Sequence, residues 1–320
     1  MSTAALPDSV AARANVEPFV HRTPLLTSRS LDDETGLEVR LKAELFQRTG
    51  AYKIRGALNK LSLLSDEERA RGVVCSSAGN HAQGVALAAQ MLGIRAVVCM
   101  AANATPSKVA APRGYGAEVV QRGEIWDEAD EKARGLVERE GLVYVHPFDD
   151  LDLIAGQGTL GLEVVKDWPE VEAVVVPIGG GGLISGVAAA VKRARPEVRV
   201  VGVESSDGPA MKASLDAGEL VTLERCDTII DGLRVKRVGR NTFELVRRFV
   251  DEVVTVPDAV IFANVLWTMG RLKLVVEGAA AAPVAALRSG ALALPPGTKV
   301  ALVLSGGNLD LSQLDGLRWN

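Results

Sequence analysis

The chain has 320 residues, 48% of them hydrophobic and 24% charged, with a formal net charge of −4. That length supports one large domain or two ordinary ones around a sizeable core, and the mild acidity gives no electrostatic reason for nucleic acid or an anionic membrane as partner. No apolar run is long enough to span a bilayer, and the opening MSTAALPDSVAARA lacks the apolar stretch of a secretory signal.

In chain order, the pattern predicts a helix over Ile54–Leu64, a strand over Val73–Cys75, a helix over His81–Leu92 and a strand over Ala96–Met100. A strand at Glu118–Val120, a helix at Trp126–Arg139, a strand at Ala173–Pro177 and a helix at Leu183–Arg195 follow. Strands at Val198–Val203 and Val253–Val256, helices at Phe262–Leu274 and Ala279–Arg288, and a strand at Val300–Leu304 complete the series. Several strands are near-continuous Val, Ile and Leu, as expected of strands covered on both faces. Repeated strand–helix alternation predicts an α/β architecture with mostly parallel sheet. No repeat, low-complexity tract or linker is present; Gly141 to Asp152, after the strand-like Leu142–Val145, is a plausible crossover between domains.

The three cysteines, Cys75, Cys99 and Cys226, are widely spaced, which fits reduced thiols in a cytoplasmic protein. His21, His81 and His146 form no metal-type pair at helical spacing, so no metal is expected.

Four segments have the composition of a ligand site. Pro177-Ile-Gly-Gly-Gly-Gly-Leu-Ile-Ser-Gly186 follows a strand and opens a helix. Bare backbone N–H groups there make an anion site suited to a phosphate, whereas a tight turn alone would need one or two glycines. No Lys follows as in a nucleotide-binding P-loop, and the dinucleotide fingerprint fails at Ser185, which weakens nucleotide readings. Gln47-Arg-Thr-Gly-Ala-Tyr-Lys-Ile-Arg-Gly56 places Lys53 just before a helix. Lys53 is either a solvated surface lysine or, with Arg48 and Arg55 nearby, a desolvated amine of lowered pKa. Ser76-Ser-Ala-Gly-Asn-His-Ala-Gln-Gly84 lies at a strand–helix junction. Its hydroxyls, amides and N–H groups suit a carboxylate, or ordinary capping by Ser77 or Asn80. Leu304-Ser-Gly-Gly-Asn308 ends the last strand. Three of the four segments follow strand ends, where open α/β sheets bind ligands.

Together these segments resemble the fold type II pyridoxal 5′-phosphate (PLP) enzymes, in particular the threonine/serine dehydratase and serine racemase family. The likeness runs from Thr23-Pro-Leu to Ser305-Gly-Gly-Asn308 and includes Gly114-Tyr-Gly-Ala-Glu-Val-Val, Ile154-Ala-Gly-Gln-Gly-Thr and Asp231-Gly. It implies a tryptophan synthase β-like fold of two domains with open, mostly parallel twisted sheets flanked by helices. Residues 1–65 and 148–320 would form the large cofactor-binding domain and 66–147 a small domain that closes over the substrate. Lys53 would carry PLP as a Schiff base and then remove the α-proton. Tyr52 would pack near the cofactor ring, and Asn80 would hydrogen-bond its phenolic oxygen. Gly179, Gly180, Gly181, Gly182 and Leu183 would cradle the phosphate, with Ser305 facing the pyridine nitrogen. Ser77, Ala78, Gly79 and His81 would line the substrate carboxylate.

The implied reaction is β-elimination of water from L-threonine or L-serine, giving a 2-oxo acid and ammonia. The alternatives are a dehydratase for another 3-hydroxy amino acid, of the phenylserine or hydroxyaspartate type, and a serine racemase with weak racemisation. A further alternative is a non-catalytic binding protein that uses only the glycine loop. The resemblance also implies a homodimer or homotetramer.

Departures from the family narrow this. Ala78 stands where racemases carry a proton-donating serine, so racemisation should be slow or absent. In Glu204-Ser-Ser-Asp-Gly-Pro-Ala210, the glutamate and the Gly208 carbonyl position remain but Ala210 replaces an aspartate of the racemases' metal site, so no tight hard-cation site is expected, Asp207 being the residue that could compensate. Ala129 occupies the place of an arginine near the substrate side chain. The chain ends twelve residues after Asn308, so no C-terminal regulatory domain is expected.

Overall fold

A computed structural model describes residues 6–311 of the chain. Strands β1 (Leu25–Thr27), β2 (Glu38–Ala43), β3 (Val73–Ser76), β4 (Ala96–Met100) and β5 (Glu118–Gln121) are followed by β6 (Val143–Tyr144), β7 (Ala173–Pro177), β8 (Arg199–Ser205), β9 (Glu252–Val256) and β10 (Lys299–Leu304). They form a six-stranded sheet in the order β1-β2-β10-β7-β8-β9 and a four-stranded sheet in the order β5-β4-β3-β6. The β1–β2 pair is antiparallel, and the other strand pairs are parallel. The last strand lies in the middle of the larger sheet, with Leu302 opposite both Leu41 of β2 and Val175 of β7.

Parallel strands need crossovers, and helices supply them. Asn80–Leu92 joins β3 to β4, Trp126–Glu140 joins β5 to β6, Gly182–Ala194 joins β7 to β8, and Gly278–Arg288 lies between β9 and β10. One core packs Phe262, Val265 and the alanines of Gly278–Arg288 on one face of the larger sheet. A second packs Ile184, Val187, Val164 and Trp168 on its other face. A third packs Ile54, Leu58, Val85 and Ala86 with Val73, Cys75 and Val98 of the smaller sheet. The helix Lys53–Ser62 packs against both Asn80–Leu92 and Leu151–Asp167, so it stands between the two sheets.

The structure adds elements that the pattern does not predict. The 17-residue helix Leu151–Asp167 is the largest. Its glycines read as breakers, yet they serve close packing: a Cβ on Gly156 would lie 2.5 Å from the Arg55 carbonyl oxygen, and one on Gly158 would lie 2.6 Å from that of Gly186. Strand β2 is also unpredicted, because Arg40 and Lys42 interrupt its apolar pattern; Lys42 is nevertheless fully buried. The helix predicted over Phe262–Leu274 instead begins at Asp258 and changes after Trp267 to a wider π-type turn over Thr268–Leu272. Lys273 then ends it in the left-handed region at φ 59°. Ala129 is fully buried in its helix, so its side chain does not line an open cleft. Among the described residues, no helix is long and apolar enough to cross a membrane. Residues 312–320, on which the expectation about a C-terminal regulatory domain rests, lie outside the described residues.

Candidate active site

Lys53 is positioned from the end of β10. Ala51 bridges to Gly306, and the Tyr52 amide donates to the Ser305 carbonyl at 3.1 Å. These contacts fix the two residues before Lys53, which opens the helix Lys53–Ser62. The Lys53 amine donates to the Pro147 carbonyl at 2.8 Å and lies 5.4 Å from the centre of the Tyr52 ring. Burial lowers its pKa to about 8, against a partial opposing pull from Glu277. The neutral, nucleophilic amine is therefore accessible near neutrality.

Arg55 is not the cause of that shift, contrary to the expectation from sequence. It is fully buried, and its charge is met by two carboxylates. Its Nε donates to Glu44 at 2.8 Å and its Nη1 to Glu163 at 2.7 Å, while Lys42 donates to Glu163 at 2.5 Å. Two cations and two anions thus anchor the Lys53 helix to β2, to the turn at Glu44 and to Leu151–Asp167. A lysine in a strand and glutamates in unrelated segments give no sequence signal of such a cluster.

The glycine segment leaves the end of β7 and enters the helix Gly182–Ala194, whose N-terminus has no side-chain cap. Its first-turn N–H groups are free of side-chain partners, as a phosphate cradle requires. Each glycine is also sterically required. A Cβ would lie 2.4 Å from the Gly232 oxygen at Gly179, 2.2 Å from the Phe148 ring at Gly180, 2.8 Å from Thr242 Cβ at Gly181 and 2.9 Å from the Phe148 oxygen at Gly182. Gly181 has φ 93°, and Leu183 is buried behind the loop.

Phe148, Asp149 and Thr242 were not singled out in the sequence. The Thr242 hydroxyl donates to the Gly180 carbonyl at 2.8 Å. Asp149 accepts from the Arg240, Asn241 and Thr242 amides at 3.0, 2.9 and 3.2 Å, which caps the helix Arg240–Phe249. His146 Nδ1 accepts from the Phe148 and Asp149 amides at 3.2 and 2.8 Å. The segment 145–149 therefore carries both the carbonyl that holds Lys53 and the ring that packs on Gly180. Its one legible sign was the His-Pro-Phe-Asp-Asp run at the crossover.

At the end of β3, the Ser77 hydroxyl accepts from the Gly79 amide at 3.1 Å, and Gly79 caps the helix without a side-chain bond. Asn80 does not cap it either. Its Nδ2 donates to both oxygens of Glu277 at 2.9 Å, and its Oδ1 accepts from Asn308 at 2.8 Å. Burial pushes the Glu277 carboxyl up to about 7, with the Asn80 bond pulling the other way. Glu277 was missed; a lone acid inside the apolar run Leu274-Val-Val-Glu-Gly-Ala was its only signal.

His81 is buried, and its Nε2 donates to the Val145 carbonyl at 2.9 Å, leaving Nδ1 without a partner. Burial and the nearby Lys53 lower its pKa to about 3, so the ring is neutral. The neutral ring is held against the Val145 carbonyl. Ala78 packs at the margin of the smaller sheet's core. Ser305 is buried at the end of β10. The structure thus brings together Tyr52, Lys53, Asn80 and Ser305 through direct bonds or shared partners, and it sets the glycine loop beside Phe148, next to the Pro147 carbonyl.

Glu204 is occupied as a helix cap: its two oxygens accept from the Met211 and Lys212 amides at 2.8 and 2.7 Å. Burial raises it to about 7. Among the described residues, no group of three or more His, Cys, Asp or Glu is arranged to hold a metal.

A family model described as "Pyridoxal-phosphate dependent enzyme" matches residues 16–306. The chain is 50% identical over 310 residues to an L-threonine ammonia-lyase of Thermotoga maritima, covering 97% of this chain and 77% of that one. It is 44% identical over 311 residues to the L-threonine dehydratase catabolic TdcB of Escherichia coli, covering 97% and 94%. Among solved structures, maize serine racemase superposes with a TM-score of 0.92 at 37% identity, covering 97% of this chain and 96% of that one.

Proposed function

This chain belongs to the pyridoxal-phosphate-dependent enzyme family, and from that premise we propose that it is an ammonia-lyase that eliminates water from L-threonine and L-serine, releasing a 2-oxo acid and ammonia. The observation that carries this reading is the partly buried Lys53 amine, held by the Pro147 carbonyl rather than by a carboxylate and lowered in pKa. The residues fit the cofactor: Lys53 would hold it covalently, the uncapped helix start at Gly179 to Leu183 its phosphate, Asn80 its phenolic oxygen and Ser305 its pyridine nitrogen, with Tyr52 packing near the ring. When bound, PLP supplies an electron sink for negative charge at the α-carbon.

Once the incoming substrate's amino group has displaced it, the freed Lys53 amine would be the base that takes the α-proton. Ser77, Gly79 and the His81 backbone at the start of Asn80–Leu92 receive the substrate carboxylate, where the helix N-terminus favours an anion. Ala78 has no proton to give, so the opposite face of the α-carbon lacks a donor and elimination prevails over racemisation. The names of the threonine ammonia-lyase and dehydratase relatives support the same substrate.

Residues 66–147 act as a small domain that closes over the substrate against residues 1–65 and 148–320. The smaller sheet spans residues 73–144, and Lys108 pairs with Asp231 at 2.9 Å from one side of the cleft to the other. Closure would keep water from the reacting carbon. The resemblance to the family supports a homodimer or homotetramer. The unpaired thiols Cys75, Cys99 and Cys226 support a reducing, cytoplasmic setting.

The deciding experiment assays the purified protein with L-threonine, L-serine, phenylserine and hydroxyaspartate for 2-oxo acid release. Turnover of threonine and serine with little D-serine is the expected result. D-serine formed as fast as 2-oxo acid would overturn the argument from Ala78, and a protein that takes up no PLP would remove the reading altogether.

A further inference from the structure

A primary amide has donor and acceptor ends of nearly the same size, so partners must choose which end faces a ligand. At Asn80 both ends are assigned. Asn308 Nδ2 donates to the Thr49 carbonyl at 2.7 Å and to Asn80 Oδ1 at 2.8 Å. Because Nδ2 has only hydrogens to offer, these two acceptors fix the orientation of Asn308. Asn80 must then present its own Nδ2 elsewhere, and it does so to both Glu277 oxygens at 2.9 Å. Donor-to-acceptor order is thereby set along the whole chain of groups.

Three separate parts of the fold meet here: the segment after β10, the start of Asn80–Leu92 and the residue before Gly278–Arg288. Two motif glycines make room for them. A Cβ on Gly50 would lie 2.5 Å from Asn308 Oδ1, and one on Gly306 would lie 2.8 Å from Glu277 Oε1. The N–H end of Asn80 therefore faces Glu277 and its carbonyl end faces Asn308.

We propose that Glu277 and Asn308 are positioning residues that lock the Asn80 amide with its N–H end toward the cofactor's phenolic oxygen. The proposal rests on the reading of Asn80 given above and deepens it. An amide nitrogen carries two hydrogens; one shared between the two Glu277 oxygens leaves the other for a cofactor oxygen.

The test measures the PLP dissociation constant and the visible absorption maximum of the loaded protein, with melting of the cofactor-free protein as the folding control. The variants are Glu277→Met, Glu277→Gln, Asn308→Ala and Asn80→Ala, with each of the first three also combined with Asn80→Ala. Glu277→Met and Asn308→Ala should each weaken PLP binding about tenfold, the effect of one lost hydrogen bond, and shift the absorption maximum. Glu277→Gln, which keeps an acceptor oxygen, should restore most of the affinity. In the Asn80→Ala background none should weaken binding further, because the partner through which they act is gone. Losses that add in full to that of Asn80→Ala, or single variants with unchanged affinity and absorption, would overturn the proposal. If Glu277→Met fails to fold, Asn308→Ala at its exposed position carries the same test. A wild-type protein that binds no PLP would instead defeat the parent reading, and this proposal with it.

Discussion

A solvated lysine gives up its proton only near its ordinary pKa of about 10.4. Burial beside a carbonyl brings Lys53 to about 8, even with Glu277 favouring the charged form. The folded chain thus binds fewer protons at Lys53 than the unfolded chain between those two values, so the penalty of burying the amine eases as pH rises through that window. On the proposed role of Lys53, the same shift would govern cofactor capture. The rate at which cofactor-free protein gains its visible band should rise with pH and level off above about 8, the buried value. A rate that climbs to the ordinary lysine range would show that the amine is solvated.

Asn80 and the four glycines stand out in the sequence because each sits in a dense local motif at a strand end, and Lys53 because its motif lies just before a helix. Glu277, Phe148, Asp149 and Thr242 do not, since each reaches the site through tertiary folding from a segment with no motif of its own. Asn308 was quoted within a motif, but its part depends on a hydrogen-bond direction that only three-dimensional contacts define.

At the scale of elements, the β-rich runs with continuous Val were read to within a residue or two, because burial on both faces leaves an unbroken apolar pattern. Strand β2 escaped because Lys42 reads as a surface residue until Glu163 is seen beside it. The helix Leu151–Asp167 escaped because Gly156, Gly158 and Gly161 depress helix propensity. Packing decides there. Replacing Gly156 by Ala gains about 1 kcal/mol in propensity, yet it drives a Cβ onto backbone of the Lys53 helix, an overpacking loss of about 1–3 kcal/mol. The close neighbours are the Arg55 carbonyl and Gly56 Cα, at 2.5 and 2.7 Å, and neither can rotate away. Gly156→Ala should therefore lower the denaturation midpoint in a urea titration; a raised midpoint would mean that the two helices separate freely.

For the molecule as a whole, charges matter in proportion to their burial. Arg55 bridges Glu44 and Glu163 with no exposure on the arginine side chain, whereas the Lys108–Asp231 pair stands largely in solvent. Removing one partner from a buried cluster strands the rest without compensation, at about 3–5 kcal/mol, while an exposed pair contributes about 0–1 kcal/mol. Arg55→Met should thus destabilise the chain severely in chemical denaturation, and Lys108→Ala should leave it nearly unchanged. Comparable losses from the two variants would show that the cluster is hydrated.

The place of β10 bears on how the protein is made. Residues 73–144, which supply the whole smaller sheet, leave the ribosome as one uninterrupted stretch and can pair at once. The larger sheet lacks its middle strand until residue 304 has been synthesised, because β2 and β7 touch only through β10. Through most of translation, β2 and β7 therefore wait with open edges, the condition under which nascent chains aggregate or call on chaperones. The strand that closes this gap also delivers Ser305, Gly306 and Asn308, so assembly of the sheet and completion of the proposed cofactor pocket are a single late event.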